Sequence, residues 1–398
     1  MRVLLRGVFP PALRAPYALI LVGGPLMIAS HATAQSFTGL GFLPGATTSN
    51  ATAVSGDGTM VLGNGGGGFV WTRATGVQNF PCCASGLNAD GSVIVGYSGS
   101  GYYAYVWNSA GSVSLGVLPG DLESQAAAVS ADGSVVVGES DNDYTYNAFR
   151  WTSAGGMINL GGVNAHAAGV SADGAVVVGG SGVTAFRWTS AGGLEDLGGL
   201  MSGGESGATA VNADGSVVVG NASFKGGAIA FRWTSASGMV GLGAMPAGTY
   251  GSASAVSADG SVVVGSYSNR AFLWTDAWGV LDLQTFLAGL GLNLTGWTLT
   301  TANGISTDGL TIVGTGIGPS GRMEGWIATV PTECAADFNH DGRVTVQDIF
   351  DFLATWFSGC TSLGPVPCQY GSADFNRDGR ITVQDIFDFL EAWFAGCQ

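Results

Sequence analysis

The residues of this 398-residue chain best suited to chemistry lie near its C-terminus. The run Asp337-Phe338-Asn339-His340-Asp341-Gly342-Arg343-Val344-Thr345-Val346-Gln347-Asp348 sets oxygen donors at alternate positions. A calcium ion takes about six to eight oxygen ligands, and an acidic loop with a sharp glycine turn supplies them. Asp337, Asn339 and Asp341 offer side-chain oxygens, and Gly342 permits the turn. Arg343 offers its backbone carbonyl, Thr345 a ligand direct or through water, and Asp348 a closing carboxylate at the start of a helix. Thirty-seven residues on, the pattern recurs as Asp374, Asn376, Asp378, Gly379, Arg380, Thr382 and Asp385. One match is weak, but two with the same following sequence favour two Ca2+ ions over solvated acidic turns.

Elsewhere the chemistry-bearing residues repeat or stand alone. Asp57, Asp90, Asp132, Asp173, Asp214, Asp259 and Asp308 each precede glycine, and each is expected to stabilise a turn by bonding local amides. Arg150, Arg187 and Arg232 are the candidate ion-pair partners for them. Val70, Val106 and Leu273 hold the same place in other copies, so the turn cannot depend on arginine. Trp71, Trp107, Trp151, Trp188, Trp233, Trp274 and Trp326 keep one strand position, which reads as core rather than as sugar-stacking platforms. Non-repeated polar residues are better site candidates. They are Asp141-Asn142-Asp143 with Tyr144 and Tyr146 in one long loop, Glu195-Asp196, and Glu205. A glycosidase needs two positioned carboxylates, and nothing in the sequence pairs these. His166, in a connector of small residues, and His340 leave little material for a Ser-His-Asp arrangement. No catalytic residue is assigned.

The elements that must carry these residues follow from a repeat. Ala128-Val129-Ser130-Ala131-Asp132-Gly133-Ser134-Val135-Val136-Val137-Gly138 recurs from end to end, with Asp spacings of 33, 42, 41, 41, 45 and 49 residues. Asp-Gly between apolar β-formers signals a hairpin. A third strand follows at Ala148–Thr152 and a fourth near Met157–Gly161. Four short strands in about forty residues make one propeller blade. The last copy, Gly304 to Val330, lacks a fourth strand, whereas Thr38–Gly45 resembles one. The expected fold is mainly β: a seven-bladed propeller over residues 36–330, closed by pairing Thr38–Leu43 with Gly325–Val330. A stacked solenoid is the rival, but it needs no matching incomplete ends. A small α-helical domain follows at 334–398, with helices at Val346–Phe357 and Val383–Phe394. Val346, Ile349, Phe350, Leu353, Trp356 and Phe357 share one helical face, repeated at Val383, Ile386, Phe387, Leu390, Trp393 and Phe394. Phe352 and Phe389 fall off that stripe and read as exposed.

Residues 1–34 read as a secretory signal peptide. Arg2, Arg6 and Arg14 precede a broken apolar run, and Ala32-Thr33-Ala34 offers a cleavage site. The run is too short and interrupted for a membrane span. Loss of those arginines takes the formal net charge from −15 to −18, which disfavours nucleic acid and anionic lipid as partners. Lys225 is the sole lysine. The six cysteines fit an oxidising compartment. For the adjacent Cys82 and Cys83 a strained vicinal disulfide, free thiols and an intermolecular link all stay open.

The repeats resemble the HAF family of extracellular repeats, through Ala148-Phe149, Ala185-Phe186, Ala230-Phe231 and Ala271-Phe272. Asn147, Thr184, Ile229 and Arg270 replace its histidine. That resemblance implies secretion and a binding or structural role. Residues 334–398 resemble a type I dockerin, an EF-hand-like domain, most like the Gly-Cys-ended kind of planctomycete-type bacteria, through Gly359-Cys360 and Gly396-Cys397. It implies calcium in both loops and docking onto a cohesin-like or cell-surface partner. Val346-Gln347 and Val383-Gln384 depart from the small hydroxyl residues of many cellulosomal dockerins. Pseudo-twofold packing of the two halves leads to the expected disulfides Cys334–Cys397 and Cys360–Cys368. The chain thus reads as an exported, non-catalytic protein whose propeller binds a carbohydrate or protein ligand and whose dockerin attaches it. The alternative is an extracellular polysaccharide hydrolase carrying a dockerin.

Overall fold

The Asp-Gly turn organises each repeat through bonds within five residues. In a computed structural model, Ser130 Oγ donates to Asp132 Oδ1 at 2.7 Å, and the same oxygen accepts the Ser134 amide at 2.9 Å. The Val135 amide returns a bond to Ser130 Oγ at 3.0 Å, and Gly133 takes φ +77°. The model describes residues 35–80, 83–98, 102–243, 250–330, 338, 344–359, 373–375 and 380–395. All seven aspartates make this turn, so their expected role holds. Arg150 and Arg187 instead donate to the carbonyls of Gly174 and Gly215, in the Asp-Gly turns of the next repeats.

These turns have a consequence for pH. The Ser130 hydroxyl, then the Ser134 amide, hold the Asp132 carboxyl down to about 2 from a usual 3.8. Hydrogen bonds from Ser92, Ser171 and Ser216 lower Asp90, Asp173 and Asp214. At Asp57 and Asp259 burial pushes upward, but the hydrogen bonds outweigh it. Lowered carboxyls contribute stability above their unfolded pKa and lose it as pH falls through the folded value. The melting temperature of the β-domain is therefore expected to hold down to about pH 4 and then fall toward pH 2, where the unfolded chain binds more protons. A melting series across that range checks this; a constant melting temperature would refute it.

Seven four-stranded antiparallel sheets result. Six use consecutive strands, over 50–80, 83–116, 123–159, 166–196, 206–241 and 251–282. The seventh takes three strands from 298–329 and its fourth from Ser36–Gly39. The fold is a seven-bladed β-propeller of four-stranded blades, as the repeat implied. The closing register differs from expectation: Ser36–Gly39, not Thr38–Leu43, pairs with Trp326–Thr329. Gly41 at φ +80° and Pro44 turn the chain away, and Leu40 and Leu43 drop into the seam between blades seven and one.

In every blade the first strand bulges opposite the glycine that ends the second strand's apolar run. Gly138 shows why: a Cβ there would collide with the Gln125 carbonyl oxygen. The core lies between blades. Val95 and Val106 of blade two meet Val136 and Phe149 of blade three, and blades five and six repeat the scheme. Trp71, Trp233, Trp274 and Trp326 are buried, and half-buried Trp151 and Trp188 pack on the clusters of two further seams. Trp107 meets Phe80 of the preceding blade edge-on at 5.5 Å. These residues are core, as expected.

Backbone bonds also run round the ring, one per blade junction. Asp57 donates to Ala89, Ala89 to Ala131, Ala131 to Ala172, Ala172 to Ala213, Ala213 to Ala258, Ala258 to Thr307, and Thr307 to Gly56, at 2.9–3.3 Å. The Asp-Gly turns are thereby tied to one another at one end of the propeller. An unanticipated helix, α1 (Leu283–Gly289), is capped by Asp282, which accepts the Thr285 amide. Its Leu283 and Leu287 fill the core beside Trp326.

At the C-terminus, α2 (Val346–Ser358) and α3 (Val383–Ala395) form as expected. Their packing corrects the expected stripe. Phe352 and Phe389 are fully buried and stacked at 4.3 Å, while Phe357 and Phe394 are 77% and 78% exposed. Val346, Phe350, Val383 and Phe387 are exposed too. The reason lies in the loops. Phe338 and Phe375 pack edge-on against the Phe352–Phe389 pair and draw the core to that side of the helices. The halves exchange bonds reciprocally, Trp356 Nε1 to the Thr382 carbonyl at 2.8 Å and Trp393 Nε1 to the Thr345 carbonyl at 2.9 Å. Residues 1–34, the join at 331–333, and Cys334, Cys360, Cys368 and Cys397 with their expected disulfides lie outside the described residues.

Candidate functional site

Antiparallel blades put the Asp-Gly turns and the third-to-fourth turns at one end. The second-to-third turns and the blade-to-blade connections share the other. The second end carries exposed Tyr102, Tyr103, Leu122, Tyr144, Val163, Val183, Met201 and Tyr250. It also holds a pocket of about 830 Å³ between the turns and connections of blades four to six.

Position within the repeat explains the pocket. At this rim the first and second strands present one facing pair per blade. The pairs are Asn50–Asn64, Cys83–Tyr97, Gln125–Glu139, His166–Gly180, Gly207–Asn221, Ser252–Ser266 and Thr301–Thr315. Blade four has glycine on its second strand, and a Cβ on Gly180 would lie 2.6 Å from His166 Cε1. Blade five has glycine on its first strand, where a Cβ on Gly207 would meet only Asn221 Oδ1, at 3.9 Å. At Gly180 the His166 ring takes the place of the missing side chain, whereas at Gly207 that place stays empty and space opens there.

The rim is held by backbone bonds. The Ser206 amide donates to the Val183 carbonyl at 2.9 Å and the Ser223 amide to the Glu205 carbonyl at 2.8 Å. The Tyr250 carbonyl accepts the Ser268 amide at 3.0 Å, and Tyr250 bridges Ala228. Lys225 sits at a turn tip with φ +45°, its Nζ 4.9 Å from the centre of the Phe224 ring. Among the described residues no carboxylate lies within ion-pair distance of Lys225.

A smaller pocket of about 280 Å³ shares His166 and is lined also by Ser85, Gln125 and Glu139. Burial pushes the Glu139 carboxyl above its usual range; His166 opposes the rise and Asp141 adds to it.

The sequence candidates are dispersed. Asp141 ends a strand, is buried and accepts the Asp143 amide, so the long loop expected there is a tight turn at 142–145. Tyr146 begins the next strand. Glu195 and Asp196 lie on the outer strand Gly193–Asp196, with Glu195 3.8 Å from Arg187. Glu205 alone of these lines the larger pocket. His166 begins the strand His166–Val170 rather than sitting in a connector. Cys83 is a free, exposed thiol; Cys82 lies outside the described residues. Glu139, Lys225 and Tyr250 are not among the site candidates the sequence offers. The broken repeat was the signal for them: Gly180 and Gly207 interrupt an otherwise polar position.

Of the expected calcium ligands, Thr345, Asp348, Asp374, Arg380, Thr382 and Asp385 are described, while Asp337, Asn339, Asp341, Arg343, Asn376 and Asp378 lie outside, as does His340. Among the described residues no group of three His, Cys, Asp or Glu side chains gathers as a metal site. Asp348 and Asp385 are nevertheless fully buried. Asp348 Oδ2 accepts the Thr345 amide, completing a capping box on α2. Asp385 accepts the amides of Phe375 and Thr382, which draws the loop onto α3. Buried carboxylates with oxygen donors beside them fit a hard cation such as calcium.

A seven-bladed β-propeller with one end opened into a pocket is what these features define. Among solved structures the chain is similar to an oligogalacturonate lyase in complex with manganese, at 14% identity and a TM-score of 0.50, over 74% of this chain and 93% of that one. It is also similar to the oligogalacturonate lyase of Vibrio parahaemolyticus, at 12% identity and a TM-score of 0.52, again over 74% and 93%. At these identities the likeness is one of fold. No family model and no curated protein matches the chain.

Proposed function

We propose that this is an exported, non-catalytic binding protein. Its propeller holds a carbohydrate ligand, and its C-terminal domain attaches it, through two calcium ions, to a cohesin-like or cell-surface partner. The observation that carries the reading is the larger pocket, its rim tied by backbone hydrogen bonds and built where the repeat is broken. It holds one carboxylate, Glu205, rather than a facing pair. Among the described residues no hydrogen bond joins the His166 ring to a serine or a carboxylate, so a nucleophile–base pair is not assembled there. Two of the fold neighbours are named oligogalacturonate lyases, at identities where the likeness is one of fold.

Attachment draws support from the twin apolar patches on α2 and α3. Val346, Phe350 and Phe357 are matched by Val383, Phe387 and Phe394, all exposed. Patches of this kind mark partner surfaces. Asp337, Asn339, Asp341, Arg343, Thr345 and Asp348 would hold one ion, and Asp374, Asn376, Asp378, Arg380, Thr382 and Asp385 the other. Calcium would neutralise the gathered carboxylates. Export rests on the leader-like residues 1–34; no described helix is long and apolar enough to cross a membrane.

A second reading, a polysaccharide hydrolase, has one observation behind it: the raised carboxyl of Glu139 is the property of a general acid. Glu139 and Glu205 line different pockets, which weighs against it. Screening the full chain against oligosaccharides, for binding by calorimetry and for cleavage by chromatography, separates the two. Binding without cleavage is expected. Cleavage that disappears in Glu139→Gln would establish the hydrolase instead.

A further inference from the structure

We infer that the pocket at the rim of blades four to six is a subsite for a saccharide bearing an acid group, left open at Gly207 and given its charge preference by Lys225. This deepens the ligand-binding reading above and rests on it.

A sugar ring offers apolar C–H faces and a belt of hydroxyls, so it suits a flat ring beside paired donors and acceptors. Tyr250 is 72% exposed, and its backbone is bonded to Ser268 and bridged to Ala228, which fixes where its side chain leaves the rim. Phe224 adds a second aromatic surface, and Asn221, Ser223, Glu205 and His166 supply polar groups.

The acid preference comes from Lys225. The chain carries a formal net charge of −15 and a single lysine, and that lysine stands at this pocket. Its ammonium rests over Phe224 rather than against a carboxylate. Glu205 lines the same pocket without pairing with Lys225, and charges farther than about 8 Å are largely screened at physiological salt. Lysine is a point charge on a flexible stem and meets carboxylate and sulfate alike. The acid group therefore comes from either a uronate or a sulfated sugar.

Calorimetry on the full chain tests this with three probes: trigalacturonate, a sulfated galactose trisaccharide and a neutral galactose trisaccharide. Tighter binding of either acidic probe than of the neutral one is expected, and the arm that binds identifies the acid group. Gly207→Gln places at blade five the residue that blade three carries as Gln125, in open space and without positive φ. It should melt like the parent and bind at least about tenfold more weakly, as a filled pocket would. Lys225→Gln should cost the acidic probe about tenfold and leave the neutral probe unchanged. Equal binding of acidic and neutral probes would overturn the acid preference and spare the ligand-binding reading. Binding untouched by Gly207→Gln in a folded variant would overturn this location alone. Failure of every probe to bind would overturn both.

Discussion

A chain lacking residues 35–43 is expected to lose the cooperative melting of the propeller. The deletion removes the fourth strand of blade seven, Ser36–Gly39, and exposes the edge of its neighbour. It also removes Leu40 and Leu43 from the seam with blade one, and Phe37 from between Trp297 and Trp326, at ring-centre distances of 5.1 and 6.1 Å. Each such apolar side chain contributes about 1.5–3 kcal/mol when buried. The loss is on the order of 5 kcal/mol or more, comparable with the whole stability of a typical domain. Scanning calorimetry should show the main transition broadened and lowered by about 10 °C or more. An unchanged transition would mean that blades one and seven hold together without the strand.

Removal of calcium should produce the second large effect, confined to the C-terminal domain. Each proposed loop gathers three carboxylates, for instance Asp337, Asp341 and Asp348. Like charges at close range repel, and the domain's buried core among the described residues is a handful of aromatic side chains about Phe352 and Phe389. Metal binding is thus coupled to ordering of the domain. Chelation should raise hydrogen exchange across α2 and α3 and alter the signal of Trp356 and Trp393. It should also abolish partner capture and leave the propeller transition in place. Asp337→Ala with Asp374→Ala should do the same. Absence of any calcium heat in the parent chain would end the metal assignment. Calcium-independent capture by the double variant would end the attachment mechanism while sparing the ions.

Several features were legible because their causes are local. The Asp-Gly turn, opened by Ser in five copies and by Asn88 and Asn212 in two, closes its own hydrogen bonds, so every copy betrays a hairpin, and the copies count the blades. The incomplete last repeat and the orphan strand before the first announced the closure. Its register was not legible, because Leu40 and Leu43 look like strand residues until blade one is present to bury them. The stripe on α2 and α3 failed for a like reason. Helical period groups Val346, Phe350 and Phe357 with Leu353, but it does not say which flank meets Phe338 and Phe375.

By itself, then, the sequence determined the blade count, the turn chemistry of the seven aspartates, the inter-blade tryptophans and the positions of the helices. Each depends on neighbours within a few residues or on a repeat that can be counted. The tertiary structure alone decided the pocket and the exposed faces of the helices. Gly180, Gly207, Lys225 and Tyr250 come from two blades and the connection to a third, and mean little until the ring brings them to one rim. A cavity is made by side chains that are absent, and an absence acquires meaning only against the neighbours that would have filled it.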